Sequence, residues 1–505
     1  MTDYSTNNKR IAKNTLFLYL RQLITMAVSL YTVRVILDVL GAEDYGIYNV
    51  IGGIVSLFSF LSGTMASATQ RFLSFEMGKQ ENGSLTKVFS VSMYTYLLLI
   101  GIILLLSETI GLWFVNNQLT IPAERLTAAN FVYQSSILSF IVTLLCIPYN
   151  ASIIAMERMS VFAYSSIVDA GLKLAIAWLL PYIVMDHLKV YAILMFIVIA
   201  SVQLYYVWYC RRYFDFCRYS HYKDHNLFRN MLSFAGWNMI GALANILRGQ
   251  GLNILINLFF NPVLNAAYGI ALQVNNAITN FTNNFYTAVR PQLVKLYAGG
   301  DTKGMLDLGY QSSRYAFYLM LVITIPIMLN TEEILSIWLK DVPEHTVVFL
   351  RIIMLSSLIE VLSVPLANML QASGKIKIYQ LTVSILFLLN IPISYIFLRM
   401  DYNPETTLWI NLAIILLSMF PRLYICKNII GLSINDYMKD VIIKISIPLI
   451  FLMLLFYILM PVISTMNIIV TIAVQMSLSS ILIFTTGFTR LEKSFILKQL
   501  KLRIK

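Results

Sequence analysis

The chain has 505 residues, of which 58% are hydrophobic and only 12% charged, with a net charge of +12. A soluble domain carries about 25% charged residues, so this balance excludes an ordinary soluble enzyme and places most of the chain in lipid. The excess of bases is spread over short segments between apolar runs and forms no single basic face, which argues against nucleic acid as a partner. Cys146, Cys210, Cys217 and Cys426 are scattered, the four histidines fall near segment ends, and no CxxC or HExxH spacing exists. Neither a disulfide framework nor a metal centre is expected.

The first fourteen residues, MTDYSTNNKRIAKN, lack the apolar core and small-residue cleavage site of a signal peptide, so the run that follows is expected to be retained. That run, 14–40, is long enough to cross a bilayer, yet it contains Arg21 and Arg34. An arginine at hydrocarbon depth costs at least about 2.5 kcal/mol and normally faces a partner, a bundle interior or a wet cavity. The expectation is that Arg21 faces a cavity whose cargo is anionic. Further apolar spans follow at 46–70, 88–113, 126–149, 160–185 and 189–210. A basic, aromatic connector, RRYFDFCRYSHYKDHNLFR, reads as a hinge or as a segment lying on the membrane surface. The second half gives spans at 230–258, 265–289, 308–330, 345–371, 376–399 and 404–428, then a charge-poor pair at 440–462 and 466–488.

With the N-terminus in the cytoplasm, 27 of the 37 Lys and Arg residues fall on cytoplasmic segments, 5 on the opposite side and 5 inside spans. The positive-inside rule then places both termini in the cytoplasm. An internal repeat is also visible. AEDYGIYNV at 42–50 recurs as NAAYGIALQ at 265–273, and IPYNASIIAMERMSVF at 147–162 matches VPLANMLQASGKIKIY at 364–379, both at an offset of about 220 residues. The expected fold is therefore all-α, with about 14 transmembrane helices: two pseudo-symmetric six-helix lobes around a central cavity, plus two C-terminal helices. The boundaries read as a first lobe at 1–212, a cytoplasmic connector at 213–229, a second lobe at 230–430, and two extra helices with a basic tail at 431–505.

The duplicated lobe, the LGAEDYGIY turn after the first span and the two extra helices resemble the MOP superfamily. Within it they are most similar to the polysaccharide-biosynthesis branch, the Wzx-type flippases of lipid-linked oligosaccharides. That resemblance implies two lobes arranged as a V, alternating between cytoplasmic and periplasmic openings in the bacterial inner membrane. It implies a cargo of undecaprenyl-pyrophosphate-linked glycan, with membrane lipids and other polysaccharide-assembly proteins as partners. No cofactor is expected beyond a proton or sodium gradient to drive transport.

The candidate substrate-binding residues are Arg21, Arg34, Lys173, Arg248, Asn276, Asn280 and Asn284, and the candidate ion-coupling residues are Asp169 and Glu360. Arg21 and Arg248 lie on repeat-related helices, and two guanidiniums offer the bidentate fork that a pyrophosphate accepts. Each is equally suited to cap carbonyls or amides of neighbouring helices. Asp169 and Lys173, at i and i+4, can neutralise each other. Arg351 and Glu360 sit two and a half turns apart and need partners on other spans; Arg314, near a helix end, can snorkel. Asn276, Asn280 and Asn284, with Gln273 and Asn283 close to the same line, form an amide stripe that suits either sugar hydroxyls or interhelical hydrogen bonds. Gly249 and Gly251, with Pro148 and Pro365, are candidate bending points.

An enzyme acting on the same carrier lipid, a glycosyltransferase or polymerase, would need a DxD motif or a sizeable loop, and neither exists. A MATE-type cation or drug antiporter would need an acidic cavity, whereas the expected intramembrane charges are five bases against two acids. A lipid II flippase shares the pyrophosphate and is not distinguished by this reasoning.

Overall fold

A computed structural model describes residues 2–494 apart from 57–58, 80–84, 118–120, 221, 223, 261, 340–341, 464–465 and 491. The described residues are helical almost throughout and contain no strand. Eleven helical stretches among them are long and apolar enough to cross a membrane, so the protein is a multi-pass membrane protein. The expected spans at 14–40 and 265–289 lie on α1 and α9, and the described part of 46–70 lies on α1 and α2; these three are not among the eleven. The chain divides into two compact units, Arg10–Met239, and Ile240–Lys505 with Met1–Lys9.

The N-terminal unit holds α1 (Thr2–Ser56), α2 (Ser59–Gly78), α3 (Leu85–Leu106), α4 (Leu112–Asn117), α5 (Leu126–Ala155), α6 (Met159–Leu179), α7 (His187–Tyr213) and the first turns of α8 (His225–Phe259). α1 contains two spans joined at Gly41, whose backbone (φ 75°, ψ 169°) lies in a region essentially reserved for glycine. α5 is the central helix of this unit, packed against α7, α2 and α3. Its buried Ala128, Ala129, Val132, Tyr133 and Ile137 meet Ile47, Ile51 and Val55 from the second span of α1. Between α3 and α4 one wide turn, Ser107–Gly111, gives the Ser107 carbonyl two donors, the Leu112 N–H and the Tyr133 hydroxyl, the latter at 2.8 Å.

The connector after α7 is packed on the N-terminal unit. Phe214 and Cys217 are buried against Phe89 and Tyr149, and the Ser220 N–H donates to Ser90 Oγ at 3.0 Å. Its end is fixed by Asp224, which pairs with Lys87 at 2.5 Å and accepts from the Leu227 N–H at 2.8 Å. Those two donors hold the Asp224 carboxyl below the usual carboxylate range.

The C-terminal unit continues with α9 (Pro262–Ala298), α10 (Thr302–Leu329), α11 (Thr331–Trp338), α12 (Thr346–Glu360), α13 (Ser363–Ser373), α14 (Lys377–Leu388), α15 (Asn390–Arg399), α16 (Glu405–Ile430), α17 (Ile434–Tyr437), α18 (Lys444–Ile463) and α19 (Ile468–Thr486). α9 packs on α10, α12 and α13, while α16 packs on α12 to α15. Two of the expected spans are broken in mid-course, and proline explains both breaks. Pro365 removes a helical N–H and crowds the carbonyl four residues back, Val361. The helix interrupts at 361–362, and the freed carbonyls are recovered by tyrosines: Tyr286 donates to Val361 O at 2.6 Å and Tyr437 to Leu362 O at 3.3 Å. Pro392 does the same to the span at 376–399, dividing α14 from α15 at Leu389. Pro148, by contrast, sits inside an uninterrupted α5. Nor does the Gly249–Gly251 segment break α8. A Cβ on Gly251 would stand 2.6 Å from Ile391 Cδ1, so this glycine serves close packing of α8 on α15.

Candidate functional site

In the N-terminal unit the site is built from α1, α6 and α7. The Arg21 guanidinium lies 4.8 Å from the Phe162 ring centroid, one helix turn from Thr25, whose hydroxyl donates to the Arg21 carbonyl at 2.8 Å. Phe17, one turn earlier, packs edge-on against Tyr164. Tyr206 on α7 stands within electrostatic reach of both Arg21 and Asp169 and beside Ser165 and Ser166. Asp169 accepts from Lys173 at 2.7 Å, so this pair neutralises itself on one helix face. Alongside runs a crevice of about 350 Å³ lined by Tyr164, Ser165, Val168, Leu172, Ser201 and Tyr205, among others. The crevice is apolar and runs between α6, the helix that carries the Asp169–Lys173 pair, and α7.

The C-terminal unit carries a second cluster, on α8, α12, α14 and α16. Arg248 Nη2 donates to both Glu360 carboxylate oxygens at 3.2 Å, and its guanidinium lies 4.1 Å from the Phe387 centroid. This carboxylate lies inside the same unit and supplies the partner on another span that Glu360 is expected to need. Arg351, the other residue in need of one, donates to the Met328 carbonyl at 3.1 Å. Arg422 also faces the Phe387 ring, 5.4 Å away, and the Tyr379 ring at 5.7 Å, and it is only 5% exposed. Arg422 stands two turns inside the C-terminal end of α16. Arg71 is likewise buried, against Phe72, Phe75 and Phe234. The first-helix arginine of each unit, Arg21 or Arg248, stacks on an aromatic ring of α6 or α14. Arg248 in addition carries the Glu360 carboxylate on its guanidinium.

Arg314 does not snorkel. It is 4% exposed, ion-paired with Glu492, and donates to the Asp440 carbonyl at 3.2 Å. The side chain of Arg34 lies outside the described residues.

The amides of the expected stripe lie on α9. Asn276 and Asn280 are exposed together with Gln273 and Asn283, while Asn284 is buried. These four exposed amides follow a 3–4–3 spacing down one face of the helix.

A repeated device, not visible in the sequence, closes the far end of each unit. Arg125 before α5 donates to Asp44 at 2.8 Å and to Asp186, the N-cap of α7, at 3.1 Å. Asp44 belongs to the LGAEDYGIY turn, so that segment has a structural role. In the C-terminal unit His345 before α12 pairs with Glu405 in the first turn of α16. The positions 125 and 186 map onto 345 and 405 at the same offset of about 220 as the sequence repeat. Sequence comparison missed this because arginine has become histidine and aspartate glutamate.

Among known proteins, a family model described as "Polysaccharide biosynthesis protein" matches residues 11–297, and the MatE model matches 253–396. No curated protein matches. Solved structures that resemble the chain include a MATE transporter in a bent conformation, at 13% identity and a TM-score of 0.74 over 83% of this chain and 96% of that one. The MATE transporter ClbM in complex with Rb⁺ matches at 14% identity and a TM-score of 0.70, over 85% of this chain and 97% of that one. A MOP superfamily transporter from Pyrococcus furiosus Vc1, described by the reverse polarity of its binding pocket, matches at 13% identity and a TM-score of 0.66 over 84% and 97%. At such identities the structural likeness establishes the fold, and the family model, which spans more than half the chain, establishes the family. The chain belongs to the polysaccharide biosynthesis protein family, within the MOP superfamily of multi-pass membrane transporters and flippases.

Proposed function

We propose that the protein flips an undecaprenyl-pyrophosphate-linked oligosaccharide from the cytoplasmic to the outer leaflet of the bacterial inner membrane, by alternating access of two lobes. The observation that carries the proposal is the row of exposed amides on α9, Gln273, Asn276, Asn280 and Asn283. Acyl chains leave an amide unsatisfied at a cost of several kcal/mol, whereas water and sugar hydroxyls satisfy both its donor and its acceptor. Arg21 supplies the charge for the diphosphate, and the apolar crevice between α6 and α7 offers a surface for isoprenoid. The basic loops support a topology with both termini in the cytoplasm. Fourteen spans follow if α1, its continuation into α2, and α9 cross the membrane around a wet interior.

The MATE neighbours raise a cation or drug antiporter as the second reading. Against it, both mid-span carboxylates are engaged by bases, Asp169 by Lys173 and Glu360 by Arg248. That leaves no mid-span acid among them to attract a cation. Lipid II, which shares the diphosphate, is the nearest alternative cargo.

The test is complementation of a bacterial strain lacking its own repeat-unit flippase. Arg21→Gln and the double substitution Asn276→Leu/Asn280→Leu are expected to abolish surface glycan while leaving membrane insertion at the parental level. Surface glycan at the parental level in both variants would remove the proposal.

A further inference from the structure

We propose that the C-terminal unit binds one small monovalent anion of the halide class on Arg422, within the bundle of α8, α12, α14 and α16. Arg422 is 5% exposed, and its Nε is sealed from solvent and makes no hydrogen bond. No carboxylate pairs with it among the described residues. Its contacts are the faces of Tyr379 and Phe387. On the same Phe387 ring, Arg248 spends Nη2 on Glu360 while Nη1 is likewise sealed and without an acceptor. Two guanidiniums against one carboxylate leave this buried cluster one positive charge in excess.

Aromatic faces return about 0.5–2 kcal/mol to a stacked cation, while taking a monovalent ion out of water costs several kcal/mol. The rings therefore do not balance the burial of Arg422. The polar groups nearby cannot do so either. The Tyr437 hydroxyl is committed to the Leu362 carbonyl, and Cys426 Sγ faces the Leu366 carbonyl at 3.9 Å. One anion of unit charge restores neutrality. It would be held by unused guanidinium N–H groups, with aromatic ring edges, which carry partial positive charge, completing its shell. A phosphate dianion would overshoot the charge and bring more oxygens than the free donors can serve. The site stands independently of the cargo proposal, because it rests on no translocation step.

The experiment is thermal unfolding of the full-length protein in detergent, in sodium chloride, bromide, gluconate or phosphate at constant ionic strength. Chloride and bromide are expected to raise the midpoint saturably relative to gluconate, phosphate is not, and Arg422→Gln is expected to lose that dependence. Glu360→Gln, which removes the competing negative charge, is expected to bind halide about tenfold more tightly. Saturable uptake of ³⁶Cl⁻ by the unmutated protein in equilibrium dialysis provides a readout that needs no folded variant. Absence of saturable uptake, or a halide dependence that survives in Arg422→Gln, would overturn the proposal. A midpoint equal in all four salts would do so as well.

Discussion

Arg248 and Glu360 show how a charge is kept at bilayer depth. Each lies in an apolar span, and each is affordable there only because the other is 3.2 Å away. Breaking such a pair leaves one uncompensated charge, which costs about 3–5 kcal/mol in buried sites. The Glu360 carboxylate is partly exposed, so the lower end of that range applies. Glu360→Ala or Arg248→Ala is expected to lower unfolding stability in detergent clearly, and Arg248→Met/Glu360→Met together to recover most of the loss. Strictly additive losses in that double-mutant cycle would show the two residues to be uncoupled. Asp224 gives a prediction of the opposite kind, outside the membrane. Its carboxyl is held low by Lys87 and the Leu227 N–H, so it contributes stability above the unfolded carboxylate pKa of about 3.9 and loses it as pH falls through the lower folded value. Protection of the 213–220 amides against hydrogen exchange should fall on acidification through that window, and Asp224→Asn should show low protection already at neutral pH. Equal exchange in the two proteins at neutral pH would contradict this. Sequence alone flagged Arg21, Arg248, Asp169, Lys173 and Glu360, because each interrupts an apolar run. It missed Arg422 because Lys427 follows closely and the two read as one basic helix end.

At the scale of the element, the breaks at 361–362 and 389 are written in Pro365 and Pro392, but what repairs them is not. Tyr286 and Tyr437 each stand 75 residues from the carbonyl they reach, a distance that no local pattern spans. A buried carbonyl left without a donor costs about 1–3 kcal/mol. Tyr286→Phe should therefore reduce stability by about that amount without altering helix content, as followed by far-ultraviolet circular dichroism during unfolding. An unchanged midpoint would mean that the Val361 carbonyl finds another donor. The same reasoning separates Gly251 from Gly249, which the sequence presents as one flexible unit. Only Gly251 has a neighbour, Ile391, where a side chain would stand. The amides of α9 were legible in the sequence, but spacing alone could not say that packing turns Asn284 inward while Asn276, Asn280 and Asn283 stay exposed.

For the molecule as a whole, the class, the helical fold and the duplication were legible because they rest on sums over many residues: hydropathy, charge placement and a repeat of about 220 positions. The repeat extends further than identity shows. Arg125 with Asp186 and His345 with Glu405 occupy matching corners of the two units, and sequence divergence hid the second pair. His345→Arg should preserve the stability of the C-terminal unit, while His345→Ala should lower its unfolding midpoint; parity of the two variants would remove the corner's structural role. What the sum of charges could not settle is which bases remain available once the carboxylates are paired. That question decides the cargo, and it is answered most directly by reconstitution. The protein in proteoliposomes should move a labelled undecaprenyl-pyrophosphate-linked oligosaccharide between leaflets, with Arg21→Gln reducing the rate at least tenfold at equal reconstitution. Movement of an organic cation instead, or glycolipid flipping undiminished in Arg21→Gln, would contradict the account.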